Sequence, residues 1–342
     1  MTTTTIIGMG ISKYSFELCG ADDRGRHTLH RRLHRDKVSL FFANLPRCVV
    51  AMESGSGSQH WARKLTELGH QVMLIPAQHL VAFRQGAKHD RNDAAAIAEA
   101  AMRPHLQTVP VKTTDQQDLQ TPHRVRERLS HHRTALISEI RGLLLEYGIV
   151  CAKGVTRFLI WLREEFETRL ADFSPMAQET FHALRDEFRA LDARLDALDH
   201  RIKAVFKSHP VCQQRATIPG VGALVATAIV ASVCEPQRFK NGRQFAAYLG
   251  LVPRQHSTGG KPKLLGISKA GNRYLRMLLV HGARSIIYHH RAKENPRSKW
   301  VTKLVERRGF HKANIALANK NGRVVWKLLT TPGERFSPPL AA

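Results

Sequence analysis

Two aspartates, Asp90 and Asp93, open the alanine-rich stretch AKHDRNDAAAIAEA (87–100), in a chain whose 53 lysines and arginines outnumber its 28 acids. On a helix, residues i and i+3 share a face, with Cβ atoms about 5–6 Å apart. Such a pair has two uses. Asp90 can cap the helix with Asp93 at its third position, where carboxylates satisfy free N–H groups and meet the positive end of the dipole. The pair can equally face a divalent cation, Mg2+ or Mn2+, because hard cations take oxygen ligands and assist attack on a phosphodiester. Glu53 ends the apolar run RCVVAME, just before the small residues SGSGS. In an α/β layer, strand ends and the next helix starts converge on one edge, so Glu53 can reach the same point. Composition and spacing leave both uses open.

Positioning these acids requires a sheet and a helix laid on it. TIIGMGI and YSFELCG read as a strand pair, HTLHRRLH as a third strand, RCVVAME as a buried strand and HQVMLIP as another. SQHWARKLTELG reads as a helix closed by Gly69, followed by a helix near 77–85 and the alanine-rich helix near 91–102. Strands alternating with helices predict an α/β layer with a mixed sheet. From about 115 to 148 and from 174 to 207 leucines recur at helical spacing with charge between them. That pattern fits either two helices of one bundle or a coiled-coil arm. The segment TIPGVGALVATAIVASV (217–233) joins a tight turn at Pro219, Gly220 and Gly222 to an apolar helix. It reads as a helix-hairpin-helix element whose free N–H groups can bind a DNA phosphate, or as a plain turn between helices. Basic helices follow to about residue 329, and TTPGERFSPPLAA reads as a flexible tail.

The formal charge of +25 points to a polyanionic partner, nucleic acid ahead of an anionic membrane surface. No apolar run approaches the ~18–20 residues that span a bilayer, and the opening MTTTTIIGMG lacks the charged start of a secretion signal. Cys19, Cys48, Cys151, Cys212 and Cys234 form no CxxC pair, which predicts reduced thiols rather than disulfides or zinc. The adjacent pairs His131–His132 and His289–His290 point to different helix faces and read as solvated or phosphate-facing.

Six segments occur in order over nearly the whole chain: GMGISK (8–13), VVAMESGSG (49–57), KHDRNDAAAIAEA (88–100), IPGVGALVATAIVA (218–231), RQFAAYLGLVPRQHSTGGK (243–261) and GISKAGNRYLRMLLVHGAR (266–284). Together they resemble the insertion-sequence "one-ten" family of transposases, in particular its "eleven-eleven" branch, with the Piv-type DNA invertases as relatives. The resemblance implies an α/β plus all-α protein: a RuvC/RNase H-like DEDD domain over 1–112, a coiled-coil dimerisation arm over 113–208, a helical C-terminal transposase domain over 209–330 with the helix-hairpin-helix, and a tail over 331–342. It implies metal-assisted strand cleavage and transfer on DNA through a covalent protein–DNA link. It also implies a structured bridge RNA that chooses target and donor, a homodimer or homotetramer, no membrane role, and a place in the bacterial cytoplasm at the nucleoid.

Carried over by position, Glu53, Asp90 and Asp93 are the second, third and fourth acids. The family ends its first strand with Gly, an apolar residue and Asp; here Gly8, Met9 and Gly10 stand there, so the first acid is missing. Glu17, Asp22 and Asp23 follow, but Glu17 is expected to lie too far along the chain to substitute. The catalytic serine position, before the glycines that follow GLVPR, holds Thr258, with Ser257 beside it. A threonine hydroxyl can attack, but its β-methyl stiffens χ1. Arg254, Lys261, Lys263, Lys269, Arg273 and Arg276 are expected to contact phosphate around this loop. Arg124, Arg126, Arg128 and Arg133 are read as a solvated face of the arm, or one that touches guide RNA. Three activities fit: a transposase or recombinase, a catalytically silent nucleic-acid-binding descendant, and a nuclease that needs the acids alone.

Overall fold

The structure is a computed structural model that describes residues 4–87, 89–289, 296–331 and 333–337, so His290 lies outside the described residues. The chain divides into two compact units, residues 1–115 and 116–342.

In the first unit, β1 (Ile6–Ile11), β2 (Ser15–Ala21) and β3 (His27–His34) form an antiparallel meander. Helix α1 (Val38–Ala43) leads to β4 (Val49–Glu53), α2 (Ser58–Glu67), β5 (Gln71–Ile75), the short α3 (Ala77–Leu80) and α4 (Asp90–Ala101). The strand order is β3-β2-β1-β4-β5, with β4 and β5 parallel to β1. This is the mixed sheet the sequence predicts, and it fits the RuvC-like fold. Alternation sorts the side chains onto two faces. Ile7, Met9, Phe16, Leu18, Val50 and Met52 bury against α1 and α2, where Phe42, Trp61 and Leu65 complete the larger core. Ala51 and Ile75 point the other way, toward Ile97, Ala100 and Ala101 of α4.

The approach of α4 to β1 is unusually close. A Cβ placed on Gly8 would stand 2.2 Å from the Ala94 carbonyl oxygen and 2.5 Å from the Ala98 nitrogen. Only hydrogen at position 8, with methyl groups across from it, lets the helix backbone lie on the strand. The alanine-rich sequence of α4 is therefore a packing requirement as well as a helix-forming one.

The second unit is built on α5 (Thr114–Glu146), α6 (Val155–Glu164), α7 (Phe166–Leu170) and α8 (Pro175–Ser208). The apolar repeats are used within the chain: Leu129, Leu136, Ile140 and Leu144 share a core with Phe158, Trp161, Phe166, Phe188, Leu191 and Leu195. Arg126 and Arg133 are not a solvated face. Arg126 makes a bidentate pair with Asp199 of α8, its Nη2 3.1 Å from Oδ2, and Arg133 pairs with Asp192 of the same helix.

Helices α9 (Pro210–Arg215), α10 (Ala223–Ser232) and α11 (Gly242–Tyr248) follow, then strands β6 (Pro253–Thr258) and β7 (Lys261–Ile267), and α12 (Arg273–His289), α13 (Pro296–Arg308) and α14 (Phe310–Thr330). Ile229, Phe245, Leu249, Leu275, Leu279 and Leu317 centre their core. Within the stretch read as a tail, Glu334 stands 3.7 Å from Lys327, and the Phe336 N–H donates to Thr217 Oγ1 at 2.9 Å. All five cysteines are free, and burial pushes the Cys48 and Cys212 thiols up to about 11. Among the described residues, no helix is long and apolar enough to cross a membrane.

His123 of α5 ties three helices together, 3.0 Å from Thr227 of α10 and 3.0 Å from the Tyr274 hydroxyl of α12. The ring is 2% exposed, and burial drives its pKa down to about 4 from 6.5. The fold holds the neutral form, so its contribution is full above pH ~6.5 and is lost as pH falls toward 4. Between pH 7 and 5 this one group should remove about 2 kcal/mol of stability. Thermal melts of the full chain across that range should show the loss, and His123→Gln should flatten it. A second expectation concerns the strand–helix contact. Gly8→Val should cost at least ~1–3 kcal/mol by overpacking, read as a lowered unfolding midpoint.

Candidate active site

Four acids reach one cleft of about 270 Å³ at the carboxyl end of the sheet: Glu53, Asp90 and Asp93, which the sequence singled out, and Glu17, which it set aside. Met9 is level with Met52, so Gly10, one residue before the end of β1, stands beside Glu53, the last residue of the parallel β4. Glu53 shares the face of Ala51, toward α4. The SGSGS segment folds back around it, with the Ser54 N–H on the Ile75 carbonyl at 2.7 Å and the Ser58 hydroxyl on the Gly55 carbonyl at 2.8 Å. The glycines keep this wall of the cleft low.

The capping use of the aspartates is set aside by the geometry. His89 is the cap of α4: its ring nitrogen accepts from the Arg91 N–H at 3.2 Å. Asp90 is the first helical residue and Asp93 the fourth, and neither carboxylate caps the helix. Asp93 stands 3.6 Å from Arg84 Nη1, with about a third of its side chain exposed. Both carboxylates line the cleft at the end of the helix where the dipole already favours negative charge.

Glu17 corrects the reading made from sequence. The turn after β1 is tight, and β2 folds straight back, so Glu17 is the register partner of Gly10. Directly opposed residues in an antiparallel pair point to the same face. Asp22, by contrast, is structural: it is buried in the β2–β3 turn, where it accepts the N–H groups of Arg24 and Arg26, each at 2.9 Å.

The lining of the cleft supplies hard oxygen donors without a thiol or an imidazole, which suits Mg2+ or Mn2+. Among the described residues, no three acids, histidines or cysteines are yet gathered as closely as a bound ion requires. Asp93 lies beside Arg84, and Glu17 beside Arg32 at 3.4 Å.

Around Thr258 the structure gives an exposed antiparallel hairpin, β6–β7, in a region where the sequence pattern suggested a glycine loop between helices. Gly259 and Gly260 turn it, both with positive φ (56° and 74°), the backbone that two-residue hairpins require. Thr258 pairs with Lys261 and His256 with Lys263, so these four side chains share one face. Ser257 points to the other face, where its hydroxyl accepts from Gln255 at 2.6 Å. Thr258, not Ser257, therefore stands among the cations.

The base of the hairpin is rigid. A Cβ on Gly271 would lie 1.8 Å from the Tyr248 carbonyl oxygen, and one on Gly250 2.3 Å from that of Ala270. Arg276 spans the joint, its Nη1 donating to the carbonyls of Leu249 and Ala270 at 3.1 and 2.8 Å. It holds the hairpin base, whereas Arg254, Lys261, Lys263, Lys269 and Arg273 are exposed. Lys269 has a positive φ of 55° and is fixed by its N–H on the Gly250 carbonyl at 3.2 Å.

At the turn before α10, Gly220 packs rather than binds: a Cβ there would meet the Gly282 carbonyl oxygen at 2.7 Å, and Asn321 Nδ2 donates to the Pro219 carbonyl at 3.1 Å. Gly222 has nothing within 4 Å of an added Cβ and starts α10 without a side-chain cap. Sequence reasoning missed a larger cleft of about 850 Å³, lined by Arg243, Lys320, Arg323 and Arg335 with Trp300 and Trp326. Lys320 lies 4.5 Å over the Trp300 ring. Its residues come from separated segments with no common motif, so only the helical period of α14 hinted at it.

The chain has relatives among known proteins over almost its whole length. Residues 7–149 match a family described as "Transposase" (DEDD_Tnp_IS110), and residues 212–299 match the "Transposase IS116/IS110/IS902 family". The chain is 43% identical over 325 residues to a "Probable family 20 transposase" of Pseudomonas aeruginosa, covering 95% of this chain and 96% of that one. It is 42% identical over 330 residues to the "Transposase for insertion sequence element IS1111A" of Coxiella burnetii, covering 96% and 91%. It is 34% identical over 339 residues to the "Transposase for insertion sequence element IS1328" of Yersinia enterocolitica, covering 98% and 100%. The two family matches, together with relatives aligned over almost the full length, show that the chain belongs to the IS116/IS110/IS902 family of insertion-sequence transposases.

Proposed function

We propose that the chain moves its insertion sequence by metal-assisted cleavage and rejoining of DNA phosphodiesters, with Glu53, Asp90 and Asp93 as ion ligands and Thr258 as the attacking hydroxyl. The observation that carries this reading is the common cleft: three acids from two separate chain segments, the end of β4 and the start of α4, line it, and none is consumed as a helix cap. A bound Mg2+ or Mn2+ supplies charge neutralisation at the scissile phosphate and at the leaving oxygen. Lys261 and Lys263, on the face of Thr258, hold the phosphate while the hydroxyl attacks phosphorus. A P–O bond to deoxyribose breaks, the sugar oxygen leaves as a hydroxyl, and DNA stays bound to the threonine until strand exchange. Arg254, Lys269, Arg273 and the open start of α10 at Gly222 track neighbouring phosphates.

The charge of +25 exceeds what one hairpin needs, and the large basic cleft with its two tryptophans suits stacked bases beside phosphates. Both favour a structured RNA as a second polyanion that selects the DNA. The helices of 113–208 then act as an arm joining copies into a dimer or tetramer. Leu145, Val150, Ile160 and Met176, all exposed near one end of the bundle, support that contact.

A second reading has its own support. Gly10 brings no carboxylate, and Thr258 carries a methyl that hinders in-line attack. Both favour a descendant that binds nucleic acid without breaking it. Covalent adduct formation on the element's end DNA, with flanking RNA and Mg2+, separates the two. The transposase reading expects adducts that Thr258→Ala lowers more than about 100-fold and Ser257→Ala barely changes. No adduct from the unaltered chain would leave the binding reading, and cleavage that survives both alanines would mean a nuclease using the acids alone. The phosphate role of the hairpin has a separate readout. Lys261→Ala and Lys263→Ala should each flatten the slope of log affinity against log salt for duplex DNA by about 0.9.

A further inference from the structure

The missing first acid leaves a specific gap in the cleft. A Cβ built on Gly10 meets nothing closer than 3.7 Å, the carbonyl oxygens of Asp90 and Glu17, and then the Glu17 Cβ at 3.9 Å. Position 10 is thus an open place facing the start of α4, with a glutamate as its nearest side-chain neighbour. We infer that Glu17 supplies from β2 the carboxylate that β1 lacks, and that it joins Glu53, Asp90 and Asp93 as a ligand of the divalent cation. This rests on the metal-assisted reading above and names a residue that reading leaves out.

Three observations carry the inference. Glu17 is the register partner of Gly10, opposed residues point to one face, and the Glu17 Cβ lies 3.9 Å from where a Cβ at position 10 would stand. Glutamate is longer than aspartate by one methylene, which is what reaching across from the neighbouring strand requires. Its side chain is only 14% exposed and lines the same cleft as the three other acids. In a chain with 25 more cations than acids, four carboxylates around one small cleft are not a background feature.

The plainer account of Glu17 is a cross-strand ion pair with Arg32, its register partner on β3. That pair is 3.4 Å long, and the arginine is 69% exposed and also donates to the Ser15 hydroxyl at 3.2 Å. With its arginine in solvent and a separation of 3.4 Å, the pair is a weak one, so a divalent cation can compete with it. Arg32 then serves as a counter-ion that shields Glu17 from the other acids until the metal arrives, as Arg84 does for Asp93 at 3.6 Å.

The test is Mn2+ affinity of the full-length protein, by paramagnetic resonance of the free ion and by calorimetry, with circular dichroism to confirm the fold of each variant. Unaltered protein is expected to bind, and Glu17→Gln to weaken binding at least about tenfold, as Glu53→Gln does. Adding Gly10→Asp to Glu17→Gln should restore affinity to within about threefold, because position 10 has room for the side chain. If Glu17→Gln does not fold, Glu17→Asp is measured instead and should also weaken binding. Binding that ignores the change at 17 but falls with Glu53→Gln overturns the role of Glu17 and leaves the metal-assisted reading intact. An unaltered protein that binds no Mn2+, or binding indifferent to Glu53→Gln, overturns both.

Discussion

The first unit depends on one contact, the backbone of α4 lying on Gly8 of β1. Strand and helix come so near that a methyl group at position 8 would overlap the Ala94 carbonyl. That nearness carries Asp90 and Asp93, at the start of the helix, to the strand ends where Glu53 and Glu17 stand. A larger residue anywhere along the Gly8–Ala94–Ala98 line would lift the helix. Asp90 and Asp93 would then move away from Glu53 and Glu17. The placement of the acids thus rests on an apolar fit between small residues, and the alanine run that looks like simple helix propensity has a geometric purpose.

The hairpin in the second unit uses the same device for the opposite charge. Its tip is exposed and its side chains solvated, so hydrophobic burial does little to hold it. Order comes from the base, where Gly250 and Gly271 admit backbone-to-backbone contact and Arg276 bonds two carbonyls across the joint. The cations at the tip repel one another in the free protein, a cost that a bound phosphate removes. Fixing the base and leaving the tip to its ligand suits a site whose partner is a long polyanion.

The sheet was legible because its strands are buried on alternate or both sides, so apolar residues mark them. The convergence of Glu53 with the two aspartates was legible for the same reason, since α/β topology brings strand ends to helix starts. Three features were hidden. The cap at His89 was hidden because histidine is a rare cap, and two aspartates beside it looked like better ones. The place of Glu17 depends on how tightly Ser12 to Tyr14 turn, which composition does not state. The hairpin over 253–267 has both faces in water, so no alternation announces it. The pairs Arg126–Asp199 and Arg133–Asp192 were hidden differently: each joins residues 73 and 59 positions apart, and spacing within one helix is silent about the next.

The two departures from the family pattern differ in physical kind. At position 258 the change adds a methyl to the hydroxyl proposed to attack phosphorus, so on that reading any penalty falls on the rate of attack. At position 10 the change removes a carboxylate expected from the family pattern and leaves the framework untouched, because Gly8 and not Gly10 carries the close contact with α4. A vacancy of that sort can be filled from any neighbouring strand whose side chain points the same way and is long enough. The antiparallel pairing of β1 with β2 provides one such position, and a glutamate occupies it. A parallel neighbour would serve less well, since β4 already spends its terminal residue on Glu53. If Glu17 acts as inferred, the meander order of the first three strands is what would compensate for the aspartate missing near the end of β1.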